Sequence, residues 1–187
     1  MEDAQVERLP IVGVMGSGDR EFPPYDEALG AWLAGWPVHL LTGAGRGVMT
    51  AVSRGFAQVQ DRSGRVVGIV PSQPHPMGET PVPKPGYPNP WIEIPIRTHL
   101  PTHRSADHGL TSRNHINVLS SQAVIILPGS EGTLHEISLC VAYGAPAIYY
   151  QPVDALAPPW PLPQEISVAT DFDALAEFLK GRNITAQ

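Results

Sequence analysis

Cysteine occurs once, at Cys140, so no internal disulfide can form and nothing suggests an oxidising compartment. Its setting, Ile137 to Ala142, reads as the buried face of a helix, where a thiol packs as a small apolar group. Basic residues are also scarce. Twelve Lys and Arg against 18 Asp and Glu leave a net charge of −6, which argues against a nucleic-acid partner, whose phosphates require a Lys/Arg-rich face. A local basic pocket is still allowed. No apolar run approaches the roughly 18 residues that span a bilayer. The stretch Met1 to Leu9 carries acidic residues and lacks the apolar core of a secretory signal. These absences make a cytoplasmic protein without a membrane partner the expectation.

What is present is an alternation of short apolar runs with glycine turns. A chain of 187 residues with 42% hydrophobic content suffices for one well-cored domain and is short for two. Ile11 to Met15 is a β-branched run ending at Gly16-Ser17-Gly18, and Val38 to Leu41 is another, ending at Gly43-Ala44-Gly45-Arg46-Gly47. Val66 to Val70, Ala123 to Leu127 and Ala147 to Tyr150 continue the series. Helices are predicted at Tyr25 to Trp36, from Val48 through Phe56, at Ser112 to Leu119, at Thr133 to Tyr143 and at Asp171 to Lys180, the last with Asp171 as N-cap. Strand, glycine turn, helix, strand is the pattern of an α/β fold, a doubly wound, mostly parallel sheet with helices on both faces. Continuously apolar strands fit that architecture better than alternating ones.

The pattern is interrupted between Pro71 and Pro101, which hold ten of the 21 prolines, and no regular helix survives such density. Trp91 to Ile94 within it reads as a short strand. A loop of this length in a compact domain serves as a lid or a subunit contact, or is disordered. A second proline-rich loop, Val153 to Pro163, carries Trp160 and is read as a cover for one sheet end.

In a parallel sheet every strand-to-helix turn lies at the carboxyl edge, where open α/β folds bind ligands. That rule gathers the turn Gly16 to Asp19, the turn Gly43 to Gly47, the turn Pro128 to Glu136 and the start of the helix bearing Arg113. Glycines allow backbone N–H groups to approach an anion, Thr133 adds a hydroxyl, and Arg113 adds a bidentate cation. Glu136, at the same helix entrance, is either a carboxylate that complements the helix dipole or a functional acid. His99, His103, His108 and His115 crowd one stretch, but their spacing matches no zinc pattern, and no metal site is assigned.

Taken in order, Gly13-Val14-Met15-Gly16-x-Gly18, Leu41-Thr42-Gly43, Gly47-Val48-Met49, Val67-Gly68-Ile69-Val70-Pro71, Ser112-Arg113-x-x-Ile116-Asn117-x-Leu119-Ser120-Ser121 and Pro128-Gly129-x-x-Gly132-Thr133-x-x-Glu136 resemble the Rossmann-like superfamily of Lonely Guy phosphoribohydrolases and molybdenum cofactor carrier proteins. Members have often been labelled lysine decarboxylases, which the fold does not support. The resemblance covers roughly residues 11–150. In the hydrolase branch an Arg-Lys pair and the Glu of Pro-Gly-Gly-x-Gly-Thr-x-x-Glu serve cleavage of a nucleoside 5′-monophosphate, such as AMP or a cytokinin ribotide, to free base and ribose 5-phosphate. Here Arg113 and Glu136 match, while Asn114 stands at the Lys position and Ser130 at the second Gly.

Those departures weaken the match to the hydrolase branch, while the Gly-Val-Met-Gly start, the Leu-Thr-Gly and Gly-Val-Met stretches and the Arg-x-x-Ile-Asn-x-Leu-Ser-Ser helix resemble the carrier branch more closely. The resemblance then implies binding of a phosphorylated, nucleotide-like or pterin-like ligand, including bound molybdenum cofactor, with no cofactor required. Its implied contacts are Gly16, Ser17, Gly18, Gly43, Ala44, Gly45, Gly47, Met49, Arg113, Asn114, Gly129, Ser130, Glu131, Gly132 and Thr133. If the protein is an enzyme, Arg113 and Glu136 are the implied catalytic pair. Relatives associate through helices, so a homo-oligomer, dimer or tetramer, is expected.

Overall fold

The apolar runs form strands that are buried on both faces. A computed structural model describes residues 8–73, 75–76, 78–102, 111–152, 157–158 and 160–185. Its strands are β1 (Ile11–Met15), β2 (His39–Thr42), β3 (Val66–Val70), β4 (Ile94–Arg97), β5 (Ala123–Ile126), β6 (Ala147–Tyr150) and β7 (Ser167–Ala169). They lie in the order β4-β3-β2-β1-β5-β6-β7, and every pairing between them is parallel. Five helices connect them: α1 (Tyr25–Leu33), α2 (Val48–Gln58), α3 (Arg113–Leu119), α4 (Glu131–Tyr143) and α5 (Phe172–Lys180). The fold is a Rossmann-like, doubly wound α/β sheet.

Residue alternation along β5 shows how the two faces are filled. Ala123 and Ile125 join Leu29 and Leu33 of α1, Val52 and Phe56 of α2, and Leu175 and Leu179 of α5 in one core cluster. Val124 and Ile126 join Val118 of α3 and Ile137 and Cys140 of α4 in the other. Full burial of each large aliphatic side chain contributes roughly 1.5–3 kcal/mol. Cys140 is buried within the second cluster, and desolvation pushes its thiol up to about 12. No helix among the described residues is long and apolar enough to cross a membrane.

Several boundaries differ from the sequence expectation, each for a local reason. α1 ends at Leu33, short of Trp36, because Ala34, Gly35 and Trp36 close it through turn hydrogen bonds ahead of Pro37. Ser112 is the N-cap of α3, its hydroxyl accepting from Asn114 N at 3.4 Å. Asp171 caps α5 as expected, its carboxylate accepting from Ala174 N at 2.8 Å. The strand expected at Trp91 to Ile94 runs instead from Ile94 to Arg97, with Gly68 of β3 opposite Pro95. A proline cannot donate to a ladder and is tolerated here because β4 is an edge strand. The short edge strand β7 has no counterpart in the apolar pattern, since two of its three residues are exposed.

Strand order reverses between β1 and β5, so a crevice opens there at the carboxyl edge. A hydrogen bond from Ser17 N to Pro128 O, 3.0 Å, joins the two turns that flank it.

Candidate functional site

The crevice is floored by Arg113. This residue is the first of α3, its backbone N donating to Pro101 O at 3.0 Å, and its side chain is almost wholly buried. The guanidinium reaches its position by passing directly over Gly43, where any Cβ would overlap Nη1. Nε and Nη1 are buried without a hydrogen-bond partner. Buried donors in folded proteins are almost always paired, so an orphaned guanidinium in a crevice is able to receive an anion or another acceptor. Burial lowers the Arg113 pKa, while Glu136 and then Tyr87 oppose the shift. Arginine nevertheless stays charged at any working pH.

Glu136 is buried beside it. α4 begins at Glu131, two residues earlier than expected, so Glu136 sits in the second turn and the first-turn acid is Glu131. The carboxyl of Glu136 is therefore not a terminal cap. Asn117 of α3 donates to its Oε1 at 3.0 Å. Burial raises the Glu136 pKa, opposed by the Arg113 charge and by the Asn117 hydrogen bond. Thr133, one turn earlier, has a buried hydroxyl with no partner. The N-cap of α4, Ser130, makes no side-chain cap bond, which leaves the first backbone N–H groups of this helix uncapped.

The cavity encloses about 120 Å³, where one water needs at least ~10–15 Å³ by the same measure. Of the residues singled out in the sequence, Gly16, Gly18, Gly43, Met49, Arg113, Asn114, Ser130, Gly132, Thr133 and Glu136 line it. Ser17, Ala44, Gly45, Gly47, Gly129 and Glu131 do not, and most of their polar groups act within the protein. Ser17 Oγ accepts from Asp19 N at 3.2 Å and Arg20 N at 3.0 Å, which folds its own turn. Ala44 N donates to Thr42 Oγ1 at 3.2 Å, and Gly45 N donates to Met49 Sδ at 3.3 Å. Gly47 packs against the Ser17 to Arg20 turn, and Gly129 leaves room for the Thr133 side chain. The turn Gly43 to Gly47 thus offers neither of these N–H groups to a ligand; its contribution is the space that Gly43 gives Arg113. Glu131 is exposed.

Val14, Met15, Asp19, Lys84, Tyr87 and Thr102 also line the cavity. Lys84 and Tyr87 come from the proline-rich insertion, where a lysine and a tyrosine among prolines were the available signal. Of the histidines, His99 is exposed, His115 Nδ1 lies 2.6 Å from Tyr143 Oη, and the stretch with His103 and His108 lies outside the described residues. His135 Nδ1 lies 3.4 Å from Asn114 Nδ2. No group of three or more metal-capable side chains occurs among the described residues.

The molybdenum cofactor binding protein of Rippkaea orientalis superposes with a TM-score of 0.60 at 28% identity, over 95% of this chain and 87% of that one. The molybdenum cofactor carrier protein of Chlamydomonas reinhardtii does so with a TM-score of 0.60 at 27% identity, over 93% and 99%. Helicobacter pylori DNA processing protein A, at 15% identity and a TM-score of 0.51 over 95% and 74%, shares the fold alone. No curated protein matches the sequence. The model of the SLOG cluster4 family matches residues 9–175, and the chain belongs to that family.

Proposed function

We propose that this chain binds a phosphorylated, nucleotide-like or pterin-like small molecule at the switch point of its sheet and holds it without turnover, as a molybdenum cofactor carrier-like protein. The observation that carries this reading is the set of buried, unpartnered donors in one cavity, Arg113 Nε and Nη1 with Thr133 Oγ1. A phosphate monoester supplies several acceptor oxygens to such a set, and the uncapped start of α4 adds backbone N–H groups and a favourable dipole. Burial raises the Glu136 pKa, which lessens the repulsion that an ionised carboxylate would exert on bound phosphate. The pterin of molybdenum cofactor bears a phosphate ester, so the same donors would receive this end of it as cargo.

Calorimetry with inorganic phosphate and AMP tests the reading. Wild type should bind, and Arg113→Ala should weaken binding roughly 10- to 150-fold, the loss of one or more charge-assisted hydrogen bonds. Absence of binding to both probes, or unchanged affinity in the variant, would overturn it. Mass spectrometry of whatever copurifies would name the ligand class directly.

Glu136 favours one alternative, a phosphoribohydrolase. A buried acid raised toward neutrality beside a phosphate site is suited to proton transfer while water displaces the base at the anomeric carbon. Free base released from AMP or a cytokinin ribotide, and abolished in Glu136→Gln, would establish it. We further place self-association on the outer surface of α3 and α4, where Leu119, Leu134 and Tyr143 are exposed. Sedimentation of Leu119→Glu against wild type measures this.

A further inference from the structure

The insertion Pro71 to Pro101 brings to the cleft two side chains that the single-phosphate reading does not use, Lys84 and Tyr87. They are held by a built arm. Lys84 N donates to Pro71 O at 3.1 Å, Tyr87 N closes a turn onto Lys84 O at 3.0 Å, and Asn89 N donates to Ala44 O at 2.9 Å. The buried Asn89 side chain adds a bond from Nδ2 to Gly45 O, also 2.9 Å. Tyr87 comes so close to Gly45 that a Cβ there would lie 2.6 Å from the phenol oxygen. The Lys84 ammonium lies 5.8 Å from the Tyr87 ring centroid, and no ion pair holds it among the described residues.

The cleft therefore carries two cations at different depths. Arg113 is buried at the floor, whereas Lys84 is exposed and stands on the wall formed by the arm. Asp19, on the opposing turn, also lines the cleft and repels negative charge from that side. Among the described residues lining the cleft, Lys84 is the only cation besides Arg113, so there a second anionic group extending from a phosphate on Arg113 finds its favourable charge on the arm.

We propose that Lys84 and the Tyr87 hydroxyl form a second anion subsite at the mouth of the cleft, so that ligands with two linked phosphate groups, the class of nucleoside diphosphates, are preferred over monophosphates. This inference rests on the phosphate reading of Arg113. Lys84 supplies a flexible point charge and Tyr87 a hydroxyl donor, both on a segment fixed to the Gly43 to Gly47 turn.

Titration of wild type, Lys84→Gln and Lys84→Arg with AMP and with ADP tests it. Wild type should bind ADP about five-fold more tightly than AMP, the scale of one exposed ion pair, and the preference should shrink as salt is raised. Lys84→Gln should bring the ratio close to one, and Lys84→Arg should retain it. AMP binding with no preference for ADP, or a preference that survives Lys84→Gln, overturns the second subsite and leaves the Arg113 site standing. Failure of wild type to bind AMP, ADP and inorganic phosphate would overturn both.

Discussion

Gly43 bears no functional group, yet it determines whether the cleft can hold a charge. The Arg113 guanidinium occupies the volume of a Cβ at that position, and the glycine's backbone is fixed at the end of β2 beside β1 and β3. Gly43→Ala must displace the arginine. It is expected to weaken phosphate binding as severely as Arg113→Ala, read by calorimetry. Glu136 supplies a second residue-scale test, through pH. Its folded-state pKa is raised by burial, so its contribution to stability is fully present below the unfolded pKa and is lost as pH rises through the folded value. As pH rises from about 5 through that raised folded value, wild type should lose stability relative to Glu136→Gln, which has no proton to release there. Parallel thermal unfolding curves for the two proteins across that window would refute the assignment.

At the scale of elements, the arm and the turn it grips form one device. Asn89 spends its amide on Gly45 O and its carbonyl on Trp91 N, at 2.9 and 3.0 Å. Asn89→Ala removes both bonds and leaves the Gly45 carbonyl with only the Thr50 hydroxyl, at 2.9 Å. A loss of about 1–3 kcal/mol follows if that end of the arm stays buried. A smaller loss accompanied by weaker ADP binding would indicate that the arm has swung free. Urea unfolding and ADP titration on the same preparation separate the two. This device was the least legible part of the sequence. Five of the strands announced themselves because burial on both faces makes their runs continuously apolar, as in Ala123 to Leu127. β4 was concealed by Pro95 and by exposure of all its residues, and β7 by its brevity. Arg113 and Glu136 could be related from topology, since strand direction alone places their elements at one edge. Lys84 and Tyr87 could not, because no periodicity governs a proline-rich segment and their approach to the cleft depends on bonds such as Asn89 to Gly45.

For the whole molecule, the cleft lies where the two halves of the sheet meet, with β1 on one side and β5 on the other, and its floor is a buried guanidinium with two donors unpaired. Burying an ion without a full set of partners is destabilising, so the unliganded protein holds its binding site at a cost to its own stability. Arg113→Met, similar in volume but uncharged, should therefore raise the melting temperature of the unliganded protein. Ligand should do the same for wild type by a different route. A phosphorylated ligand at about 100 times its Kd, binding only the folded state, adds about 2.7 kcal/mol, or roughly 5–11 °C for a chain of this size. In Arg113→Met, at the same ligand concentration and with affinity roughly 10- to 150-fold weaker, that ligand-induced stabilisation should fall to about 0.3–1.4 kcal/mol although the starting temperature is higher. Melting curves of the two proteins with and without AMP decide the matter, because a guanidinium that only supported the fold would make the variant less stable and leave the ligand shift intact.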